Sequence, residues 1–245
     1  MFFDSPSLEA VSENDIALDK GAQPQHHEDV LGDVFDALYA SYPFQVAKET
    51  SRKERKANQY ISLTLVYGEI RFESFRVVID SVKRWYRILG KPGGTFLDIG
   101  SGSGKAVFAA TLAHDFDACF GIEILRGLYE ISVDVAQQWE KRIKKQYPLS
   151  IQKKRTRIAF THGDALEHEW PPNADIVFMN STCFGEVLLR DLTRKLNGYC
   201  KPGTIVISAT HPLPTDVQNG FEVLTCMKVA QDTWGDATWF IQRKT

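Results

Sequence analysis

The sequence has few cysteines, no CxxC pair and no long apolar run. Its four cysteines and six histidines are scattered along the chain, which predicts reduced thiols and neither a disulfide framework nor a metal site. No apolar stretch reaches the roughly 18 residues that a membrane span requires. The first residues, MFFD, lack the basic and apolar regions of a signal peptide. We therefore expect an intracellular soluble protein, in the nucleus or the cytoplasm, without membrane contact.

Charge is distributed unevenly along the 245 residues. The formal net charge is −2, but residues 1–40 contain nine acidic residues and one basic residue, so the remainder carries a net +6. Two basic runs, 48–56 and 141–157, could contact nucleic acid. The alternative is a solvated helix end and a solvated loop, since aromatic residues are nearly absent from both runs. The charge pattern therefore leaves a nucleic-acid partner open.

The apolar pattern divides the chain into three parts. Residues 1–29 are polar and acidic without a sustained period, which predicts a mobile leader. Residues 30–92 show helical spacing in Val30–Tyr60 and Glu73–Leu89, which predicts a helical extension. Residues 93–245 alternate short apolar strands with amphipathic helices and predict a single α/β domain.

The third part contains seven predicted strands and three predicted helices. The strands are Thr95–Gly100, Ala118–Glu123, Arg157–His162, Ala174–Asn180, Thr204–Ala209, Phe221–Val229 and Ala237–Arg243. The helices are Lys105–Phe116, Leu125–Tyr147 and Phe184–Cys200. Strands that alternate with helices form a parallel sheet covered on both faces, and the last two strands add an antiparallel edge. The predicted fold class is α/β, with a doubly wound, mostly parallel seven-stranded sheet.

A glycine-rich loop joins the first of these strands to the first helix. Its sequence, Asp98–Lys105 (DIGSGSGK), contains the spacing GxGxG, which begins two residues after an acidic residue at a strand end. Lys105 occupies the third glycine position of a dinucleotide fingerprint, so that motif is not matched. A phosphate-binding P-loop is not matched either, because Ile99 and Ala106 stand where it needs glycine and serine or threonine. The remaining pattern is typical of close backbone approach to another ligand.

Two more acidic residues are predicted at strand ends. Glu123 ends the second strand, where a carboxylate can accept hydrogen bonds from both ribose hydroxyls, and Asp164 follows the third, where it can accept an adenine amino proton. With Asp98, they fall at the carboxyl edge where open α/β sheets bind ligands. The alternative is that Asp98 and Asp164 are helix caps and Glu123 is a surface residue. The coincidence of all three favours a nucleoside site.

Several motifs resemble a known family. Phe96–Lys105, Gly121–Glu123, Gly163-Asp164 and the strand ending at Asn180 look like the seven-stranded methyltransferases. Four segments are similar to the disruptor-of-telomeric-silencing (Dot1-like) histone lysine methyltransferases. They are Tyr67-Gly68-Glu69, the loop Asp98–Gly104, Asn180–Gly185 (NSTCFG) and the pair Thr233-Trp234. The resemblance covers roughly residues 60–245.

The resemblance implies a Rossmann-like fold, the cofactor S-adenosylmethionine and a protein substrate, such as a histone or nucleosome; we expect a monomer. It implies cofactor contact by Tyr67, Glu69, Asp98, Gly100, Ser101, Gly102, Gly104, Lys105, Glu123, Asp164, Ala165 and Asn180. Tyr67 and Glu69 would close over the methionine end, and the amide oxygen of Asn180 would hold the acceptor amine. Phe184 and Trp239 would wall the acceptor channel. The catalytic residues would be Asn180, Tyr67 and Trp239, and no metal is involved.

The chain also departs from the family pattern. Lys105 replaces the usual glutamine, Ser181-Thr182 replaces Asn-Phe, and Ala165 stands where an aromatic residue covers the adenine. Trp239-Phe240 replaces paired tyrosines, and the basic DNA-binding tail is absent. Two alternatives therefore stay open beside a protein lysine methyltransferase. One is a methyltransferase acting on RNA or a small molecule, and the other is a non-catalytic cofactor-binding module.

Overall fold

The computed structural model describes residues 27–60, 65–214, 220–231 and 235–245. A seven-stranded sheet with the order β3-β2-β1-β4-β5-β7-β6 forms its centre. The strands are β1 (Thr95–Ile99), β2 (Ala118–Glu123), β3 (Arg157–His162), β4 (Ile176–Met179), β5 (Ile205–Ala209), β6 (Phe221–Gln231) and β7 (Gly235–Lys244). The sheet confirms the predicted fold class.

The first five strands pair in parallel, and β7 pairs antiparallel with both β5 and β6. β1 lies inside the sheet, between β2 and β4. The predicted antiparallel pair at the end of the chain is confirmed, but β7 lies inside the sheet and β6 forms its edge. Because the five parallel strands point the same way, their carboxyl ends meet at one edge of the sheet.

Helices cover both faces of the sheet. They are α1 (His27–Tyr39), α2 (Phe44–Ala57), α3 (Phe72–Tyr86), α4 (Lys105–Ala113), α5 (Arg126–Gln138), α6 (Lys144–Gln146), α7 (Ile151–Arg155) and α8 (Glu186–Tyr199). A π-helical turn, Trp139–Ile143, joins α5 to α6. No described helix is long and apolar enough to cross a bilayer.

The first three helices share a core with the sheet. Phe75 of α3 is fully buried, with its ring centroid 5.3 Å from that of Phe178 and 6.0 Å from that of Phe96. Phe35 of α1 stacks on Phe72 at 5.0 Å. These aromatic contacts fix α1 and α3 against the sheet, next to the segment that leads from α2 to α3. The predicted part boundaries after residues 29 and 92 stay predictions, and residues 1–26 lie outside the described chain.

Candidate active site

A cavity of about 610 Å³ opens at the carboxyl edge of the sheet. Its walls come from four places in the sequence: the segment 65–70, the glycine loop 98–106, the ends of β2 and β3, and residues 180–192. Its volume lies within the range of small-molecule sites, about 300–1,000 Å³. The cavity is therefore large enough for a nucleoside-sized ligand together with part of a second molecule.

Glu123 organises the glycine loop. Its Oε2 accepts a hydrogen bond from the backbone N–H of Gly102 at 2.7 Å, and its Oε1 accepts one from the N–H of Leu125 at 2.8 Å. Each carboxylate oxygen has a second lone pair. Glu123 can therefore hold the loop and still accept hydrogen bonds from a ligand's hydroxyl groups.

Gly102 is required at its position for two reasons. Its φ of +55° lies in the left-handed region, which side chains disfavour. A Cβ atom at Gly102 would also lie 2.7 Å from Cε2 of Tyr67. The loop thus passes directly beside the Tyr67 ring, and only glycine permits that approach.

Two buried carboxylates lie on neighbouring strands at this edge. Burial raises the pKa of Asp98 well above its ordinary value, and the negative charge of Glu123 raises it further. Burial raises the pKa of Glu123 to about 7, although the N–H groups of Leu125 and Gly102 oppose the shift. Within the described part of the chain, no hydrogen bond or ion pair engages the carboxylate of Asp98, which faces the cavity. This electrostatic environment favours a ligand that carries positive charge.

A hydrogen-bonded network closes the opposite wall. The hydroxyl of Tyr67 donates to Oε1 of Glu69 at 2.8 Å and lies 2.7 Å from Oγ of Ser103. Nζ of Lys105 lies 2.5 Å from Oε2 of Glu69. Burial raises the pKa of Tyr67 well above its ordinary value, and the charge of Glu69 adds to the shift. Tyr67 therefore stays protonated, and the network ties the segment 65–70 to the glycine loop and to α4.

Asn180 follows β4 and lines the cavity beside the glycine loop. Its Oδ1 accepts a hydrogen bond from Oγ1 of Thr182 at 3.2 Å, and Thr182 in turn lies 2.9 Å from Oγ1 of Thr210. Ser181, in the same turn, donates to the carbonyl of Ala209 at 2.7 Å. These bonds to the end of β5 fix the Asn180 amide.

Asp164 and Lys195 shape the remaining end of the cavity. Oδ1 of Asp164 accepts the N–H of Leu166 at 2.8 Å, which holds the turn after β3. Nζ of Lys195, on α8, donates to the carbonyls of Ala165 at 2.8 Å, Leu166 at 3.0 Å and His168 at 2.5 Å. Lys195 thus fixes a turn that is distant from it in sequence. No sequence motif pointed to this role of Lys195.

The structure gathers nearly all of the predicted site residues around this one cavity. Tyr67, Glu69, Asp98, Gly100, Ser101, Gly102, Lys105, Glu123, Asp164, Ala165 and Asn180 line it, as does Phe184. Gly104 is not among the lining residues; a Cβ there would lie 2.7 Å from the Phe160 ring. Whether these residues bind a cofactor stays a proposal, and Thr233-Trp234 lies outside the described residues.

Trp239 contradicts its predicted role. It is fully buried in the core, with its ring centroid 5.0 Å from that of Phe178 and 6.0 Å from that of Phe75, and it does not line the cavity. The hypothesis that Trp239 is catalytic and walls the acceptor channel is therefore wrong. Its indole packs between the sheet and α3.

The fold and site define a class of protein. The fold is similar to that of a solved Listeria monocytogenes protein described as a putative class I S-adenosylmethionine-dependent methyltransferase. The two chains align with a TM-score of 0.54 at 11% identity, covering 89% of this chain and 68% of that one. At this identity the likeness shows the fold alone: a Rossmann-like methyltransferase fold.

Sequence comparison gives the family. Residues 46–232 match the family described as Histone methylation protein DOT1, and the chain belongs to this family. A histone-lysine N-methyltransferase, H3 lysine-79 specific, of Dictyostelium discoideum is 32% identical over 155 residues, covering 61% of this chain and 8% of that protein. The protein of the same description from Eremothecium gossypii is 26% identical over 153 residues, covering 58% and 25%. The chain thus spans a quarter or less of these relatives.

Proposed function

We propose that this chain is an S-adenosylmethionine-dependent methyltransferase that methylates a lysine amine of a histone. One observation carries the proposal: acidic groups suited to a nucleoside and an amide suited to an amine line the same cavity. Glu123 and Asp164 lie at the ends of neighbouring strands, and Asn180 lies beside them across the glycine loop. Membership of the family and the descriptions of its relatives support a histone acceptor. A histone acceptor implies action in the nucleus.

The polar groups of the cavity fit this cofactor. Oγ of Ser101 is buried and has no hydrogen-bond partner among the described residues, so it can bind a ligand atom without breaking one of the described contacts. Asp98 offers a carboxylate for the cofactor's ammonium group, and the unused lone pairs of Glu123 can accept its ribose hydroxyls. Leu166 and Leu188 provide apolar walls near Asp164 for the adenine. These leucine side chains would cover the adenine in place of the aromatic residue that the family has where this chain has Ala165.

When bound, the cofactor supplies an activated methyl group, so the protein mainly has to position the acceptor and exclude water. Only a neutral amine has the lone pair needed for attack. The amide oxygen of Asn180 can accept an N–H of that amine and direct its lone pair, because Thr182 and Ser181 fix the amide. Phe184 and the Tyr67 ring form apolar surfaces that disfavour the charged ammonium form.

The test is a radiolabelled methyl-transfer assay with nucleosomes, free histones and cell extract treated with and without nuclease. A Gly102→Arg variant, which would place a long side chain against Tyr67, serves as the blocked control. The proposal predicts label on a histone that the control abolishes. Label on another protein would show that the methyl acceptor is not a histone. Label that is lost on nuclease treatment would show that the acceptor is nucleic acid. Cofactor binding without any label would favour the non-catalytic cofactor-binding module.

A further inference from the structure

The exposed face of α2 is strongly basic, and its charges are not neutralised within the described structure. Lys48, Arg52 and Lys56 follow one another at intervals of four residues, so they form a row along one side of the helix, and Lys53 lies beside them. All four are exposed, and none makes an ion pair within the described ranges. Glu49 is the one acidic residue that shares this face.

The other acidic residue of α2 points inward. Oε1 of Glu54 accepts the N–H of Arg126 and Oε2 accepts that of Gly127, both at 2.8 Å. Glu54 thus caps the first turn of α5 and does not reduce the charge of the outer face. The helix is held firmly: Ala47 and Ser51 are buried beneath it.

The helix α2 borders the cavity through its buried side, opposite the basic face. Ser51 contacts the carbonyl of Leu65 through its hydroxyl at 3.5 Å, and Leu65 lines the cavity. The turn that Glu54 caps follows directly on Leu125, another lining residue. Arg55 is close enough to the lining residue Cys183 for its charge to oppose the rise in pKa that burial causes there. A molecule bound along the outer face of α2 would therefore lie about one helix diameter, roughly 10 Å, from the cavity wall.

The second basic run, 141–157, differs from the basic face of α2 in that some of its charges are paired and in that it lies at another edge of the sheet. Lys144 pairs with Glu140 at 2.5 Å, Lys153 pairs with Asp115 at 2.9 Å, and Arg157 lies over the ring of Phe120. The run connects the end of the α5–α6 segment to the start of β3, which places it at the amino edge of the sheet, opposite the cavity. Other cations of this run, such as Lys145 and Arg155, also form no ion pair within the described residues. Position is therefore the main difference between the two runs.

We propose that the exposed face of α2 binds the phosphate backbone of duplex DNA next to the acceptor site. Four cations that form no ion pair with any described residue, on a fixed helix, are complementary to a polyanion. Within α2 the one aromatic side chain, Phe44, lies under Lys48 and stacks with Tyr67, so the helix itself offers no aromatic platform on which single-stranded bases could stack. The choice of DNA as the duplex rests on the proposed histone acceptor.

The test is fluorescence anisotropy with a labelled duplex of about 30 base pairs, titrated between about 50 and 200 mM salt. The variant carries K48Q, R52Q, K53Q and K56Q; the matched control carries K141Q, K145Q, K154Q and R155Q and loses the same net charge. We expect the α2 variant to bind at least about tenfold more weakly and its log–log salt slope to fall by up to about 3.6, because each of four phosphate contacts contributes about 0.9. The control should bind within about twofold of wild type.

Circular dichroism and cofactor binding establish that both variants are folded, and no methyl transfer is needed, so the result does not depend on the acceptor. Equal losses in the two variants would show a net-charge effect and overturn the proposal. So would absence of duplex binding by the wild type, or tighter binding to single-stranded RNA or to vesicles of anionic phospholipid through the same four residues.

Discussion

Nζ of Lys105 lies 2.5 Å from Oε2 of Glu69 and joins the first residue of α4 to the segment that closes the cavity. The carboxylate is almost fully shielded, with 1% of its side chain exposed against 14% for Lys105. The same ammonium lies 5.1 Å from the centroid of the Tyr39 ring. Because Glu69 also accepts the hydroxyl of Tyr67, the pair sets the position of that ring over the glycine loop.

Removal of the Lys105 ammonium should therefore destabilise the protein. Lys105→Met is expected to lower the free energy of unfolding by about 3 kcal/mol, the lower end for breaking a buried ion pair, since Tyr67 still donates to Glu69. Lys105→Gln, which keeps an N–H donor, should cost less than half as much. Denaturant unfolding of both variants measures this difference. Equal stability of the two variants would mean that the lysine contributes only packing.

Glu123 should make cofactor affinity depend on pH. Its pKa of about 7 means that the carboxylate is partly protonated at neutral pH. The carboxylate accepts more hydrogen bonds than the acid and attracts a cationic cofactor, so affinity for S-adenosylmethionine should rise from about pH 6 to about pH 8. Calorimetric titration at several pH values measures this. Glu123→Gln should bind more weakly, with a flatter profile, and a flat wild-type profile would contradict the account.

The stability of the ligand-free protein should change in the opposite direction. Burial raises the pKa of both Asp98 and Glu123 in the fold above their unfolded values. A raised carboxyl pKa contributes stability that is present below the unfolded pKa and is lost as pH rises through the folded one. These groups should therefore lower the melting temperature between pH 6 and pH 8, while the stabilisation caused by cofactor increases. Asp98→Asn should reduce the decrease; an unchanged pH dependence would argue against this electrostatic origin.

Lys195 should affect the cofactor more than the chemistry. Lys195→Met removes three hydrogen bonds to the turn of Asp164, which should raise KM for the cofactor about tenfold and leave kcat within about threefold. Lys195→Arg keeps a cationic donor and should restore part of the affinity. Steady-state kinetics with both variants separates the two constants. A fall in kcat at constant KM would mean that the turn also positions the acceptor.

Two glycines offer a matched comparison. Gly102→Ala introduces a Cβ 2.7 Å from Tyr67 at a φ of +55° and should cost about 1–3 kcal/mol of unfolding free energy. Gly198 lies in α8, and a Cβ atom there would have no described side chain within 4 Å. Gly198→Ala should therefore raise the free energy of unfolding by up to about 1 kcal/mol. Denaturant unfolding of the two variants tests whether the first is destabilised and the second is stabilised. A neutral Gly102→Ala would show that Tyr67 moves away without cost.

Local patterns in the sequence predict the elements and the edge that carries the site. Asp98, Glu123 and Asp164 could be assigned together because each follows an apolar run, and parallel strands bring such ends together. The pairing of Lys105 with Glu69 could not be predicted, since it joins residues 36 apart through packing of α3, and the segment before it, against α4. No sequence motif marks Lys195 either, because its contacts with the turn after β3 also join residues that are distant in sequence.

Trp239 shows where pattern and motif mislead. Alternation in a strand places Trp239 and Phe240 on opposite faces, but it does not determine which face borders the core and which borders a channel. Phe75 and Phe178 leave a large apolar space that the indole fills. Phe184 is predicted to begin a helix, but the observed helix α8 begins two residues later, at Glu186. Phe184 itself adopts an extended conformation and lines the cavity.

The most direct test of the central claim measures cofactor binding and methyl transfer with the same Asn180→Ala protein. If the Asn180 amide holds the acceptor amine, S-adenosylmethionine affinity by calorimetry should stay within about threefold of wild type, while single-turnover transfer to nucleosomal histone should fall at least about a hundredfold. Normal binding with transfer at the wild-type rate would contradict the assignment of the cavity's amide to the reacting amine.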